Sequence, residues 1–308
     1  MPTRLAGTNE LLVVPPSRRR RVAVIAPERK LRLSQLVYCD FEYLPYSELE
    51  KTVCETSEFL ENKELLFALI DSLNDQKITN LGKTASLAAR KDIPAVAIVD
   101  FGSLGPEMPK QRLSRLIARI RRTFSATVLM DLDFYGRKDA SEPTSEKVKA
   151  SKVVTELTDL ILNPESQIFA LELKKALLGK KLALACHGSS KSPFRAADAT
   201  RQALQNARSL HYGSCVARVL GDADFSVKET NCAVALLKEA VGEGRPIVYD
   251  IKKDVSCDGV QVLLLLTGLN LSKLPDLREN PLRTLYNMEP ESGDEEPLGF
   301  ELDLPSLD

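Results

Sequence analysis

Short, nearly continuous apolar runs alternate with amphipathic segments along the first half of the chain. Val22–Ala26 ends at Pro27, and three similar runs follow at Leu65–Ile70, Ala95–Val99 and Thr127–Met130. Runs of this length without alternation predict strands buried on both faces of a parallel sheet. Between the last two, residues 109–124 place Leu113, Leu116, Ile117, Ile120 and Phe124 at helical spacing, with Arg112, Arg115, Arg119 and Arg122 on the opposite face. Strands alternating with helices predict a doubly wound α/β layer. Residues 144–162 then form one long amphipathic helix, opened after Pro143 and stopped by Asn163-Pro164.

After that helix the pattern restarts. Strands are predicted at Leu182–Cys186, Gly213–Val219, Ile247–Ile251 and Val260–Thr267, and helices at Pro193–Ala207 and Val227–Val241. Four strands with two crossing helices predict a second, α+β domain whose four-stranded sheet is covered on one face. The periodicity stops beyond Gly268. Residues 289–308 carry Glu289, Glu291, Asp294, Glu295, Glu296, Glu301, Asp303 and Asp308 and no basic residue, the composition of a solvated acidic tail. At the other end, 1–21 is Pro-rich and closes on Arg18-Arg19-Arg20-Arg21, a flexible basic arm.

Charge and composition narrow the function classes. Lys+Arg 42 against Asp+Glu 43 gives a net charge of -1, which removes any bulk electrostatic drive toward nucleic acid and leaves only local patches. The Val260–Leu266 run is too short to span a bilayer, and no transmembrane segment or secretory signal is expected. The expected location is a cytoplasm. Six cysteines lie far apart without a C-x-x-C pair, so they read as buried small hydrophobes rather than a metal or disulfide framework. A Cys186–His187 dyad is the sharper alternative, but adjacent strand residues point to opposite faces. Gly82-Lys83-Thr84 ends like a phosphate-binding loop, yet Lys77 occupies the place where that loop needs its first glycine. No G-x-G-x-x-G follows a predicted strand, and no metal-ligand cluster is present.

A family resemblance emerges in the second half. Lys180-Lys-Leu-Ala-Leu-Ala-Cys-His-Gly188-Ser-Ser190 leads to Phe194-Arg195-Ala196-Ala197 at the start of a helix. Val219-Leu-Gly221-Asp-Ala-Asp224-Phe225-Ser-Val-Lys-Glu229 follows, and Val260–Thr267-Gly268-Leu269 closes the segment. Order and spacing over 180–269 resemble the C-terminal domain of the FtsZ/tubulin superfamily. There a strand leads to a Gly/Ser loop and an R-A-x-x-A helix, and the next strand ends in G-G-x-D-[LF]-[ST]-[LV]-x-E. The last strand ends in A-T-G-[FL]. The helix containing Leu157-Thr-Asp159-Leu-Ile161 resembles that family's central helix, and the final Phe300-Glu-Leu-Asp-Leu-Pro305-Ser-Leu307-Asp308 is similar to the acidic–apolar peptide that ends FtsZ tails.

The resemblance implies a boundary set of arm 1–21, shortened GTPase-like α/β domain 22–142, central helix 143–163, C-terminal domain 164–270 and tail 271–308. It also marks three departures. Where the family's glycine-rich phosphate loop follows the strand equivalent to Leu65–Ile70, this chain has Ser72-Leu73-Asn74-Asp75-Gln76-Lys77-Ile78-Thr79. Glycine is needed there because only it lets backbone amides close on a phosphate without a Cβ clash. The family's water-activating N-x-D-x-x-D segment corresponds to Gln167-Ile168-Phe169-Ala170-Leu171-Glu172, leaving Glu172 as the residual carboxylate. Its guanine-contacting acid falls near Lys147-Val148. The stretch between Pro27 and Leu65 is also too short for all the usual intervening elements.

These readings combine into a degenerate FtsZ-like protein without catalysis and without bound GTP, metal or other cofactor. Its expected partners are FtsZ or FtsZ-binding division proteins at the division site, reached through Phe300, Leu302, Leu304, Pro305 and Leu307. Self-association is compatible with the family. The alternatives are a divergent self-polymerising GTPase and, from another class, a small-molecule regulatory domain with only architectural likeness.

Overall fold

β1 (Arg20–Ala26) lies between β2 (Cys39–Pro45) and β3 (Leu65–Ile70), paired in parallel with both. The computed structural model describes residues 19–26, 36–49, 53–70, 74–100, 110–130, 146–163, 170–179, 181–205, 210–242, 244–254 and 257–270. β4 (Ala95–Asp100) and β5 (Ala126–Met130) extend the parallel ladder. β6 (Lys181–Ser190), β7 (Ser214–Gly221), β8 (Ile247–Lys253) and β9 (Val260–Thr267) complete one nine-stranded sheet in the order β2-β1-β3-β4-β5-β6-β9-β7-β8. Only β9 runs antiparallel to its neighbours.

The four strands expected in the second half all form, but they do not make a separate sheet. β6 hydrogen-bonds to β5 in parallel register, Thr127 opposite Leu182 and Val128 opposite Ala183. The physical reason is that a free β5 edge would present a row of unpaired backbone groups, and β6 removes that liability.

Among the described residues seven α-helices flank the sheet: α1 (Val53–Phe59), α2 (Asp75–Arg90), α3 (Lys110–Thr123), α4 (Glu146–Leu162), α5 (Ala170–Leu177), α6 (Arg195–Leu204) and α7 (Val227–Val241). β2 and α1 occupy the stretch between Pro27 and Leu65. β2 was hard to read because its residues are mostly half-buried at the sheet edge and give no continuous apolar run.

One face of the sheet, carrying Val24, Phe67, Ile98, Val128, Ala185 and Leu265, packs on α4 and α5 in a single apolar cluster. The opposite face meets α2, α3 and α6, with α7 beside α6. Strand residues buried on both sides explain the unbroken apolar runs in the sequence. α4 is enclosed on nearly all sides: Val153, Val154, Leu157 and Leu160 are 2% exposed or less, and Glu156 and Asp159 are also buried. Each such aliphatic side chain contributes roughly 1.5–3 kcal/mol relative to exposure.

Candidate functional site

A doubly wound sheet places a ligand crevice outside the carboxyl ends of its strands, where the order reverses. Here that place is beyond Ala26 and Ile70, because β1 has β2 on one side and β3 on the other. The first described residue after β3 is Asn74, which caps α2. Its side-chain oxygen accepts from the backbone N–H of Gln76 at 2.9 Å and of Lys77 at 3.3 Å. Asp75 stands in the first helical turn, 3.6 Å from an Arg119 guanidinium nitrogen. The Thr79 hydroxyl donates to the Asp75 carbonyl and accepts from Arg119 at 2.7 Å.

A helix N-terminus holds phosphate through unpaired amides and the positive end of its dipole. In this chain a carboxamide already occupies two of those amides, and a carboxylate sits beside them. Gly82-Lys83-Thr84 is not a loop. It lies in the middle of α2, where the Thr84 hydroxyl donates to the Asn80 carbonyl at 3.1 Å.

The other expected positions are dispersed. Glu172 is exposed in the first turn of α5, while Gln167, Ile168 and Phe169 lie outside the described residues. Lys147 and Val148 fall on α4, their side chains outside the described set. Phe300, Leu302, Leu304, Pro305 and Leu307 also lie outside it. Among the described residues no group of His, Cys, Asp and Glu could hold a metal ion.

Cys186 and His187 point to opposite faces of β6. The Cys186 thiol is fully buried, and burial pushes it up out of the thiolate range. His187 faces α4, with Nε2 3.1 Å from the Lys152 Nζ, and burial together with Lys152 drives it down to about 3. The imidazole is therefore neutral and no dyad forms. Cys39 and Cys215 are likewise buried, each pushed up to about 12 chiefly by desolvation. Cys232, by contrast, is exposed and Cys257 partly so.

The family-like residues of the second half converge on one brace. Arg195, at the start of α6, donates through Nε to Glu229 at 2.7 Å and through Nη1 to Asp222. Glu229 in turn accepts from the Ser226 N–H at 2.8 Å and closes a capping box on α7. The Arg195 hydrogen bond, opposed by partial burial and reinforced by Ser226, holds Glu229 down to about 2. Two glycines are sterically required here. A Cβ on Gly188 would lie 1.9 Å from the Ala199 carbonyl oxygen, and one on Gly221 would lie 2.1 Å from the Phe225 ring.

A second polar assembly went unread in the sequence. Lys152, Glu156 and Asp159 of α4 and Asn163 just beyond it line one stripe. Asp159 is paired with the buried Arg218 of β7, and it accepts from the Tyr38 hydroxyl and from Asn163 at 2.8 Å. Lys252 of β8 lies 3.5 Å from the same carboxylate, and Asp250 lies 3.7 Å from Arg218 Nε. Arg218 also donates to the Glu156 carbonyl at 3.1 Å, and Lys152 donates to Gln261 of β9 at 2.6 Å. Burial pushes the Glu156 carboxyl upward, with Lys152 opposing. The polar spacing along α4 was the available signal, but the partners lie far away in sequence. The arrangement ties Tyr38, α4 and β7–β8 together, and nothing in it resembles a nucleophile or an open proton-transfer pair.

No family model matches this sequence, and no curated protein does. Solved structures do match. An FtsZ variant from M. jannaschii aligns over 82% of this chain and 92% of its own, at 15% identity and a TM-score of 0.61. A CetZ from Methanosaeta thermophila aligns over 80% and 74%, at 14% identity and 0.55. A GTPγS-bound protofilament of a CetZ from Haloferax volcanii aligns over 73% and 71%, at 16% identity and 0.53. The chain has the fold of the FtsZ/tubulin superfamily.

Proposed function

We propose that this chain, built on the FtsZ/tubulin fold, is a non-catalytic cell-division or cytoskeletal factor that binds an FtsZ-type protein or its partners and modulates assembly. The observation that carries the reading is the start of α2. Its amides are capped by Asn74, its first turn bears Asp75, and Ser72–Thr79 supplies no glycine for a phosphate cradle. Phosphoryl transfer depends on positioned amides, cations and an oriented water. The charge beside this helix end opposes the first of these, and Glu172 is the one carboxylate left at the position implied for the last.

Isothermal titration with GTP and magnesium tests the catalytic half of the reading: no saturable heat and no phosphate release are expected. Micromolar binding with magnesium-dependent turnover would overturn it. Co-sedimentation with a polymerising FtsZ from the same organism tests the other half, with enrichment in the pellet or a changed pellet mass as the expected outcome.

The exposed position of Glu172 favours one second reading, a divergent GTPase that polymerises by itself and offers this carboxylate to a neighbour. Pelleting of the purified chain that requires both GTP and Glu172, lost in Glu172→Gln, would establish it.

A further inference from the structure

We infer that the groove between α2 and α3 is a docking site for an acidic, amphipathic peptide segment of a partner protein. The groove encloses about 450 Å³. Half-buried Leu87 stands in its wall, its floor is made by Ile78, Leu81, Ile120 and Phe124, each 4% exposed or less, and Lys83, Arg90 and Arg119 stand on its rim, Arg119 beside Asp75. Lys83 and Arg90 are exposed and pair with no carboxylate among the described residues. α3 continues the positive field with exposed Arg112, Arg115 and Arg122, and the helix contains no acid at all. In a chain of net charge -1 this is a local concentration of cations, and it selects an anionic occupant.

The apolar floor distinguishes among anions. A single-stranded nucleic acid would stack its bases on exposed rings, and the ring in this groove, Phe124, is only 2% exposed. An anionic membrane would need apolar side chains that protrude from the surface, whereas the apolar lining here is recessed between two helices. A peptide with alternating acidic and apolar positions satisfies both the rim and the floor, in the manner of an amphipathic segment laid in a groove between helices.

Gly82 supplies an independent observation. Glycine in mid-helix is unfavourable, and here neither backbone nor packing calls for it: its φ is not positive, and a Cβ would stand 3.7 Å from the Thr123 methyl, an ordinary contact. Gly82 and Thr123 both line the groove, so any larger side chain at 82 would project into it. The glycine keeps the floor open. The inference stands whether or not the chain binds nucleotide.

The test uses the full chain and a fluorescein-labelled ten-residue peptide alternating Leu and Glu, read by anisotropy. Saturable micromolar binding is expected. The double variant Lys83→Glu/Arg90→Glu weakens it at least tenfold, and Gly82→Leu weakens it at least fivefold with no fall in melting temperature. Control peptides with Lys for Glu, or Ser for Leu, bind at least tenfold more weakly. Wild-type affinity in a folded Gly82→Leu protein, or equal binding of the Ser-for-Leu peptide, overturns the proposal. Tighter binding of oligo-dT or phosphatidylserine vesicles, undiminished by Gly82→Leu, also overturns it and assigns the face to generic anions.

Discussion

Two strand-to-helix turns of the same sheet are built in opposite ways. At the start of α7, Ser226 and Glu229 cap the helix and Glu229 is also bonded to Arg195 at the start of α6, so one turn braces another. At the start of α2, Asn74 caps its own helix, and the tertiary support is Arg119 reaching Thr79 and Asp75. The residues that make the second half resemble its structural relatives are thus largely explained by packing. Gly188, Arg195, Gly221, Phe225 and Glu229 speak for the fold. Chemistry would have to be read from the start of α2, where Ser72–Thr79 contains no glycine.

The sharpest test of that contrast is the buried pairing that holds the second half on α4. Arg218→Leu leaves Asp159 and Asp250 without their guanidinium in a dry environment, and a loss of about 3–5 kcal/mol is expected by urea unfolding. A loss under about 1 kcal/mol would mean that Lys252 and Tyr38 suffice. The glycines come next. Gly188→Ala forces a Cβ into the Ala199 carbonyl, with an expected cost of about 1–3 kcal/mol. A neutral result would show that α6 can slide away from β6.

The two caps should differ in size and in pH response. Glu229→Ala removes a capping partner and a charged bond together, for about 1–2 kcal/mol at neutral pH. Because the folded-state carboxyl is held down to about 2, below its ordinary 4.5, its contribution is complete above pH 4.5. It fades as pH falls toward 2, where the unfolded chain binds the proton more readily. The gap between wild type and Glu229→Ala should therefore close with acid. Asn74→Ala should cost about 1 kcal/mol, with a gap that does not change over the same range, since an amide does not titrate. Parallel pH curves for the two variants would break the comparison. The smallest effect has the opposite sign: Gly82→Ala should stabilise by about 0.5–1 kcal/mol, because it removes a mid-helix glycine that nothing nearby requires. A loss instead would mean that the groove walls close on residue 82.

Much of the fold was legible because its signals are local. The helix at 227–241 and the strand at 260–267 were readable to the residue, since an apolar run, a Ser-x-x-Glu cap and a terminal glycine each act within a few positions. β2 was not, because an edge strand with half-buried residues leaves only a weak pattern. α5 was hidden as well, short and adjoining a segment read as a loop by resemblance. Of the candidate site, the missing glycines were visible in the chain, while the Asn74 cap that occupies the amides required the backbone of α2.

By itself the sequence determined most of the strands and helices, β2 and α5 apart, and that no glycine stands between β3 and Gly82. Burial periodicity and capping are properties of neighbours along the chain. Only the tertiary structure decided that both halves share one sheet, that Arg218 meets Asp159, and that a cation-rimmed groove opens between α2 and α3. Those outcomes depend on which edge strand pairs with which and on side chains brought together across the sheet. Backbone pairing at an open edge and the desolvation of a buried charge are settled by partners distant in sequence, and no local pattern carries them.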